Sequence, residues 1–281
     1  MSREVPAEAL SRIVTEALAE DFGDRGDITT NAIVPPGTPM SGAIRSREAG
    51  RIAGIDAIRL VLEKLPEPAS ATLVAHDGAD IEAGGTVALL SGSARTLLSG
   101  ERVMLNILGR LSGIATATAA VVRAVEGTGV AVKDTRKTTP GLRALEKYAV
   151  AAGGGVNHRS GLYDAVLIKD NHIAVAGSIR IAVAQTRSSL GEEFPIQVEV
   201  DTLAQLEEAL GCAVTAVLLD NMKPAELRDA VALVMHRCHT EASGGITLAN
   251  VRAVAETGVD SISLGWLTHS ARSLDLGLDI A

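Results

Sequence analysis

With 281 residues, 47% of them hydrophobic and 21% charged, the chain is long enough for one large globular domain or two smaller ones. A net charge of −8 argues against a nucleic-acid partner, and two cysteines, Cys212 and Cys238, cannot form a disulfide framework. The longest uncharged run, Ile28 to Ile44, is 17 residues and holds Pro35, Pro36 and Pro39, so it excludes itself as a membrane span.

Charged and apolar residues alternate at the start, without the basic and apolar blocks of a leader, and a reducing, cytoplasmic setting is expected. Residues 5 to 21 place Leu10, Val14, Ala17 and Leu18 at helical spacing opposite Glu8, Arg12, Glu16 and Glu20, which predicts an amphipathic helix ending at Gly23. Residues 24 to 30 read as a turn-rich link. Short strands are predicted around Ala43-Ile44, Ile52-Ala53 and Thr72 to Val74, with a helix over Gly54 to Leu65. Asp77-Gly78 and Gly84-Gly85 read as hairpin punctuation. A biotinyl-type carrier would share such turns but needs an acceptor lysine at a hairpin tip, which this chain lacks. A long helix is predicted over residues 95 to 126, with Gly109 and Gly113 marking a break or close packing. Of its cations, Arg110 reads as a surface residue.

From residue 130 the pattern changes. Apolar runs at Val130 to Val132, Ala165 to Ile168, Ile196 to Val200, Ala213 to Leu219 and Ser261 to Leu264 alternate with helical segments; Ser243 to Ile246 is a weaker member. Thr202 with Gln205 fits a capping box, Pro224 sits at a helix start and Thr247 can cap the next helix. Such alternation predicts parallel βαβ units. The strands end in polar residues or glycine: Lys133-Asp134, Lys169-Asp170, Glu199, Asp220-Asn221, Ser243-Gly244 and Gly265. An α/β barrel carries its chemistry at those ends, and the glycine turns at 243–245 and 264–266 suit a phosphate.

Residues 133 to 172 stand out by charge. They hold seven basic and four acidic residues, a balance of +3, against −11 for the rest of the chain. A basic island in an acidic protein suggests a small, strongly anionic ligand. The blocks DTRKTTPGLR (134–143), GGGVNHRSGLYDAVLIKDNH (153–172), VEVDTLAQLEEAL (198–210), VLLDNM (217–222), SGGI (243–246) and LGWLTHS (264–270) resemble the quinolinate phosphoribosyltransferase family nearly end to end. GDITT near the start and LDLGLDI at the close extend the likeness, while Trp266 stands where a small residue is expected.

The resemblance implies an N-terminal α+β open-faced sandwich domain over residues 1–111, with the tail 270–281 packed on it, and an incomplete α/β barrel over 112–269. It implies a homodimer with shared active sites and the joining of quinolinate to 5-phosphoribosyl 1-pyrophosphate with Mg²⁺. Arg136, His158, Arg159 and Lys169, with Thr135, are then expected on the dicarboxylate, with Arg102 reaching into the neighbouring subunit's site. Lys137 is expected on the pyrophosphate. Ser243, Gly244, Gly245, Leu264, Gly265, Trp266 and His269 are expected around the 5′-phosphate. Glu199 and Asp220 are expected on ribose hydroxyls and Mg²⁺, and His172 behind the ligand-contacting residues. Lys133 fits either a ligand cation or a structural pair. His236, Cys238 and His239 read as a polar helix end rather than a zinc set.

Two other readings share these residues. Lys133 and Lys169 both end barrel strands, as a Schiff-base aldolase would require. A paralogue associated with molybdenum transport genes would keep the fold in a binding role. Neither accounts for Arg136, His158 and Arg159 together with the intact DTRKT and NHR blocks.

Overall fold

The structure, a computed structural model, describes residues 5–281. The first four residues, on which part of the leader reading rests, lie outside it. In chain order the described elements begin with α1 (Ala7–Phe22), α2 (Ile28–Ile33), β1 (Pro39–Ser46), β2 (Gly50–Arg51), α3 (Asp56–Glu63), β3 (Ala69–Leu73), β4 (Asp80–Ile81), β5 (Thr86–Ser93) and α4 (Ala94–Ala124). There follow β6 (Ala131–Lys133), α5 (Arg143–Ala152), β7 (Val166–Ile168), α6 (Asp170–Ala176), α7 (Ile179–Leu190), β8 (Ile196–Val200), α8 (Leu203–Leu210) and β9 (Ala216–Asp220). The chain closes with α9 (Pro224–Val234), β10 (His239–Ser243), α10 (Val251–Ala255), β11 (Ser261–Ser263), α11 (Trp266–His269) and β12 (Leu276–Ile280). Two compact units interleave along it. One takes the described residues up to Ala119, then Lys137–Gly154 and Trp266–Ala281; the other takes Ala120–Arg136 and Gly155–Gly265.

The first unit is built on an antiparallel sheet of order β12-β1-β5-β3. Gly42 of β1 lies between Leu90 of β5 and Ile280 of β12, so the C-terminal strand closes the sheet begun by the N-terminal part of the chain. The helix α1 buries Leu10, Val14 and Leu18, as its spacing predicts, and α3 buries Ile58, Val61 and Leu62. Three expectations need correction. The link at 24–30 runs into α2, because the Asp27 carboxylate accepts the Thr30 N–H at 2.8 Å and caps a helix too short to show periodicity. Ile52 and Ala53 follow β2 as buried loop. The Asp77-Gly78 and Gly84-Gly85 turns are tight, but β4 between them pairs with β2, so neither joins a hairpin.

The helix α4 runs without a break. Gly109 and Gly113 serve close approach: a Cβ at Gly113 would lie 1.9 Å from the Arg272 carbonyl oxygen, and one at Gly109 would lie 2.9 Å from that of Leu274. Among the described residues α4 is the helix long and apolar enough to cross a membrane, yet 61% of its apolar window is buried, as in a core helix. Leu97, Met104, Leu108 and Ile114 make that burial.

The second unit is a parallel sheet of order β6-β11-β10-β9-β8-β7 alternating with helices, with β6 and β7 as its edges. These are the parallel βαβ units that the alternation predicts, arranged as the incomplete α/β barrel that the resemblance implies. Val198, Val200, Val217, Leu219 and Ile262 fill its buried positions. The Thr202–Gln205 capping box forms, and Pro224 opens α9, where the Glu226 carboxylate accepts the Lys223 N–H at 2.9 Å. Two boundaries differ from expectation. Ser243 ends β10 instead of starting a strand, and His239 begins it, so Cys238 and His239 are no helix end. Thr247 donates its N–H to Asn250 Oδ1 at 2.7 Å in a turn, and α10 starts only at Val251.

Candidate active site

The barrel strands deliver their polar residues by alternation. In β8, Ile196, Val198 and Val200 are buried while Gln197 and Glu199 are part-exposed. Glu199 sits opposite Leu218 of β9, so Asp220 stands two residues further toward its own strand end. Lys169, just past β7, donates from Nζ to Glu199 Oε2 at 2.5 Å. Its backbone N–H donates to His172 Nδ1 at 2.9 Å, which places His172 as the brace of the turn into α6.

The DTR and NHR blocks are tied together by a residue that charge counting passes over. Asp134 is fully buried; its carboxylate accepts the Asn157 side-chain amide at 2.6 Å and the His158 N–H at 2.9 Å. The anchor fixes the loop that carries Thr135 and Arg136 against the loop that carries His158 and Arg159. The Arg159 guanidinium donates to the Ala165 carbonyl at 3.0 Å. Burial first, and then the charge of Arg136, hold Arg159 below the usual guanidinium range, with Asp164 opposing. Asp164 itself accepts the N–H groups of Ser160 and Gly161, which shapes the loop after Arg159.

Beneath this group lies Glu241, the central residue of β10, with its side chain fully buried. Lys133 Nζ donates to Glu241 Oε2 at 2.9 Å, and His158 Nε2 is 3.3 Å from Oε1. Gln197 and Ser261 approach Oε2 at 3.4 and 3.5 Å. Burial opposes ionisation of Glu241, but His158 and Lys133 together outweigh it and bring its pKa to about 2. Lys133 is thereby placed in a structural pair. Sequence reasoning missed Glu241 because HTEAS shows no apolar run.

The turn after β10 is built around backbone. Gly244 has φ +88°, and a Cβ there would lie 2.2 Å from Asn221 Oδ1; Gly245 follows at φ +61°. Asn221, itself at φ 56°, donates its backbone N–H to the Ser243 carbonyl at 2.8 Å and its side-chain amide to Asp220 Oδ2 at 2.6 Å. Leu264 is buried and donates its N–H to the Lys133 carbonyl at 3.0 Å, which leads the chain to Gly265.

The other expected residues belong to the first unit. Arg102 is exposed on α4, and Lys137 is exposed with its carbonyl accepting from Thr268 Oγ1 at 2.7 Å. Trp266 is half-buried; His269 is exposed and pairs through Nδ1 with Ser270 Oγ at 2.6 Å. Arg110 corrects its surface reading. It binds the fully buried Glu146 at 2.7 Å and donates to the carbonyls of Ala271 and Thr268. Glu146 also accepts the N–H and hydroxyl of Thr139, at 3.0 and 2.8 Å, so this pair anchors the far end of the DTRKTT loop. Among the described residues no cluster of three or more His, Cys, Asp or Glu is disposed to hold a metal ion.

Cations and carboxylates at the C-terminal ends of parallel strands define an α/β-barrel enzyme shaped for a small anionic substrate. Residues 27–112 match the family described as quinolinate phosphoribosyl transferase, N-terminal domain, and residues 114–279 match its C-terminal domain. The chain is 45% identical over 278 residues to the nicotinate-nucleotide pyrophosphorylase (carboxylating) of Mycobacterium leprae, covering 97% of this chain and 98% of that one. A probable nicotinate-nucleotide pyrophosphorylase (carboxylating) of Bacillus subtilis is 44% identical over 271 residues, covering 96% and 93%. The crystal structure of nicotinate-nucleotide pyrophosphorylase from Ehrlichia chaffeensis superposes with a TM-score of 0.92 at 42% identity, covering 96% and 98%. The chain belongs to the quinolinate phosphoribosyltransferase family.

Proposed function

We propose that this chain transfers the phosphoribosyl group of 5-phosphoribosyl 1-pyrophosphate to quinolinate and decarboxylates it. The products are nicotinate mononucleotide, pyrophosphate and carbon dioxide, a step of NAD biosynthesis. The observation that carries this reading is the buried Asp134 carboxylate, which accepts the Asn157 side-chain amide at 2.6 Å and the His158 N–H at 2.9 Å and so ties the loop of Arg136 to the loop of Arg159. Two guanidinium groups carried on loops joined in this way suit an anion with two adjacent carboxylates. Thr135, His158 and Lys169 complete that grip in this reading. Lys137, next in the chain to Arg136, supplies charge to the pyrophosphate.

The backbone N–H groups of the Ser243-Gly244-Gly245 turn suit the 5′-phosphate, since the positive φ of both glycines bares the main chain. Leu264, Gly265, Trp266 and His269 are assigned to the same phosphate. Glu199 and Asp220 are assigned to the ribose hydroxyls. Their donor set also fits Mg²⁺, which takes one or two carboxylates with substrate oxygens and would neutralise charge on the departing pyrophosphate.

The chemistry asks the protein mainly to position and to stabilise charge. The C1′–pyrophosphate bond breaks as the ring nitrogen of quinolinate bonds to C1′, and Lys137 balances the charge that leaves. The ring nitrogen becomes cationic. Carbon dioxide departs from the adjacent carbon; the electron pair left on that carbon is stabilised by the cationic nitrogen beside it and then forms the new C–H bond with a proton. Lys169 and Lys133 each donate to a carboxylate, at 2.5 and 2.9 Å, so both strand-end lysines are engaged in ion pairs rather than held open for the carbonyl substrate of a Schiff-base aldolase.

We also assign Arg102 to the neighbouring subunit's site in a homodimer, on its exposure on α4. We divide the chain near residue 112, where the two family matches meet. The deciding experiment is formation of nicotinate mononucleotide by the purified protein from quinolinate and the sugar donor, with nicotinate as control acceptor. Turnover with nicotinate and none with quinolinate would overturn the assignment.

A further inference from the structure

The interior of a barrel is ordinarily packed with branched aliphatic side chains. Here its middle holds a fully buried carboxylate, Glu241, surrounded by polar groups from four other segments. Lys133 comes from β6, Gln197 from β8, Ser261 from β11 and His158 from the NHR loop. His239, on the same strand as Glu241, joins the edge of the group through Ser261 Oγ at 2.8 Å and Lys133 Nζ at 3.4 Å. A buried charge with one partner removed is strongly destabilising, so the chain carries a liability at this point. Lys133, Gln197 and Ser261 all address Oε2; Oε1 is buried without a hydrogen bond among the described residues, and His158 Nε2, 3.3 Å away, is the group turned toward it.

The geometry of the ring says what that orientation does. His158 Nδ1 accepts the backbone N–H of Arg159 at 2.8 Å, so Nδ1 presents its lone pair. The ring proton is then on Nε2, which faces Glu241 Oε1 at 3.3 Å. One ring nitrogen addresses the buried carboxylate and the other holds the main chain of a guanidinium residue assigned to quinolinate. We propose that Glu241 is a positioning residue for the quinolinate grip, acting through the tautomer and ring plane of His158 to set Arg159, with Lys133 keeping the carboxylate in place. The inference rests on the quinolinate assignment made above. It gives His158 a structural duty beside any contact it makes with substrate.

The test is Glu241→Gln, nearly isosteric but able to present an amide N–H to His158 Nε2 and so to favour the other tautomer. The KM for quinolinate should rise about tenfold or more, which is roughly the worth of one misplaced charge-assisted contact. The KM for 5-phosphoribosyl 1-pyrophosphate should move much less. The ring ¹⁵N resonances of His158 should shift away from the pattern of an Nε2-protonated imidazole. Because Glu241→Gln leaves the part-buried Lys133 without its carboxylate, the double variant Lys133→Met/Glu241→Gln should regain thermal stability without regaining quinolinate affinity. Recovery of both in the double variant, equal loss for both substrates, or an unchanged His158 signature would each overturn the inference. Wild-type protein that forms no nicotinate mononucleotide would instead overturn the underlying assignment, and the ¹⁵N signature would still report on the Glu241–His158 coupling.

Discussion

At the scale of the residue, the site is a problem in electrostatics. Burial, and after it the charge of Arg136, hold Arg159 below the usual guanidinium range. In the proposed site a bound dicarboxylate would offset the positive charge, so removing either guanidinium should hurt binding more than folding. Truncating one partner of a buried charge pair typically costs about 2–5 kcal/mol, so Arg159→Ala should weaken quinolinate binding by roughly a hundredfold or more. Calorimetric titration measures this, with circular dichroism unchanged. Arg159→Lys should recover little, because an ammonium cannot reproduce the planar fork that reaches the Ala165 carbonyl and a carboxylate together.

Glu241 makes a second prediction at this scale. Its pKa, about 2, lies below the ordinary 4.5 of a glutamate. A carboxylate depressed on folding contributes stability that is present above its unfolded pKa and is lost as pH falls toward the folded one. The contribution is on the order of 3 kcal/mol. Wild-type protein should therefore lose urea resistance between about pH 4.5 and 2 more steeply than Glu241→Gln, whose curve should be flatter there. Equal slopes would mean that this carboxylate is not a source of the acid lability. The arginines were legible in the sequence because cations cluster there against an acidic background. Glu241, Asp134 and the Arg110–Glu146 pair were not, because composition records a charge without recording that it is buried.

At the scale of the element, local rules carried most of the fold. The spacing of Leu10, Val14 and Leu18, the Thr202–Gln205 box and Pro224 at a first helical turn each act within a few residues, and each formed. What failed was non-local or too short. The helix α2 is one capped turn and a half, β10 is polar because Glu241 and Thr240 bond polar partners on other segments, and β4 chose β2 as partner over its neighbours in sequence. The glycines are the point where element and site meet. Gly244→Ala would force a left-handed residue and set a Cβ against Asn221, at the turn assigned to the 5′-phosphate. It should raise the KM for the sugar donor about tenfold or more while leaving quinolinate binding nearly intact, since the strain of about 1–3 kcal/mol falls on that turn alone. Gly113→Ala should act differently. Its clash is with the backbone of residue 272, so thermal stability should fall by about 1–3 kcal/mol or more and both substrates should suffer alike.

At the scale of the whole molecule, the assignment makes activity a property of an assembly. Arg102 is exposed on α4 in the first unit, whereas Arg136, His158, Arg159 and Lys169 lie in the second. If Arg102 serves a neighbouring subunit's barrel, Arg102→Ala and Lys169→Ala each inactivate every site of a homodimer. Mixing the two variants under conditions that exchange subunits changes the count. In a mixed dimer one site collects both defects and the other receives an intact Arg102 and an intact Lys169. An equal mixture should regain about a quarter of wild-type activity, from half the dimers being mixed and each carrying one sound site. A chain that completes its own site predicts no recovery at any ratio, and mass spectrometry of the exchanged dimers establishes that the mixing took place. The same experiment with Arg102→Ala and Arg159→Ala should give the same fraction, because Arg159 and Lys169 belong to one barrel. Recovery with Lys169→Ala alone would separate those two residues into different sites and break the proposed grip apart.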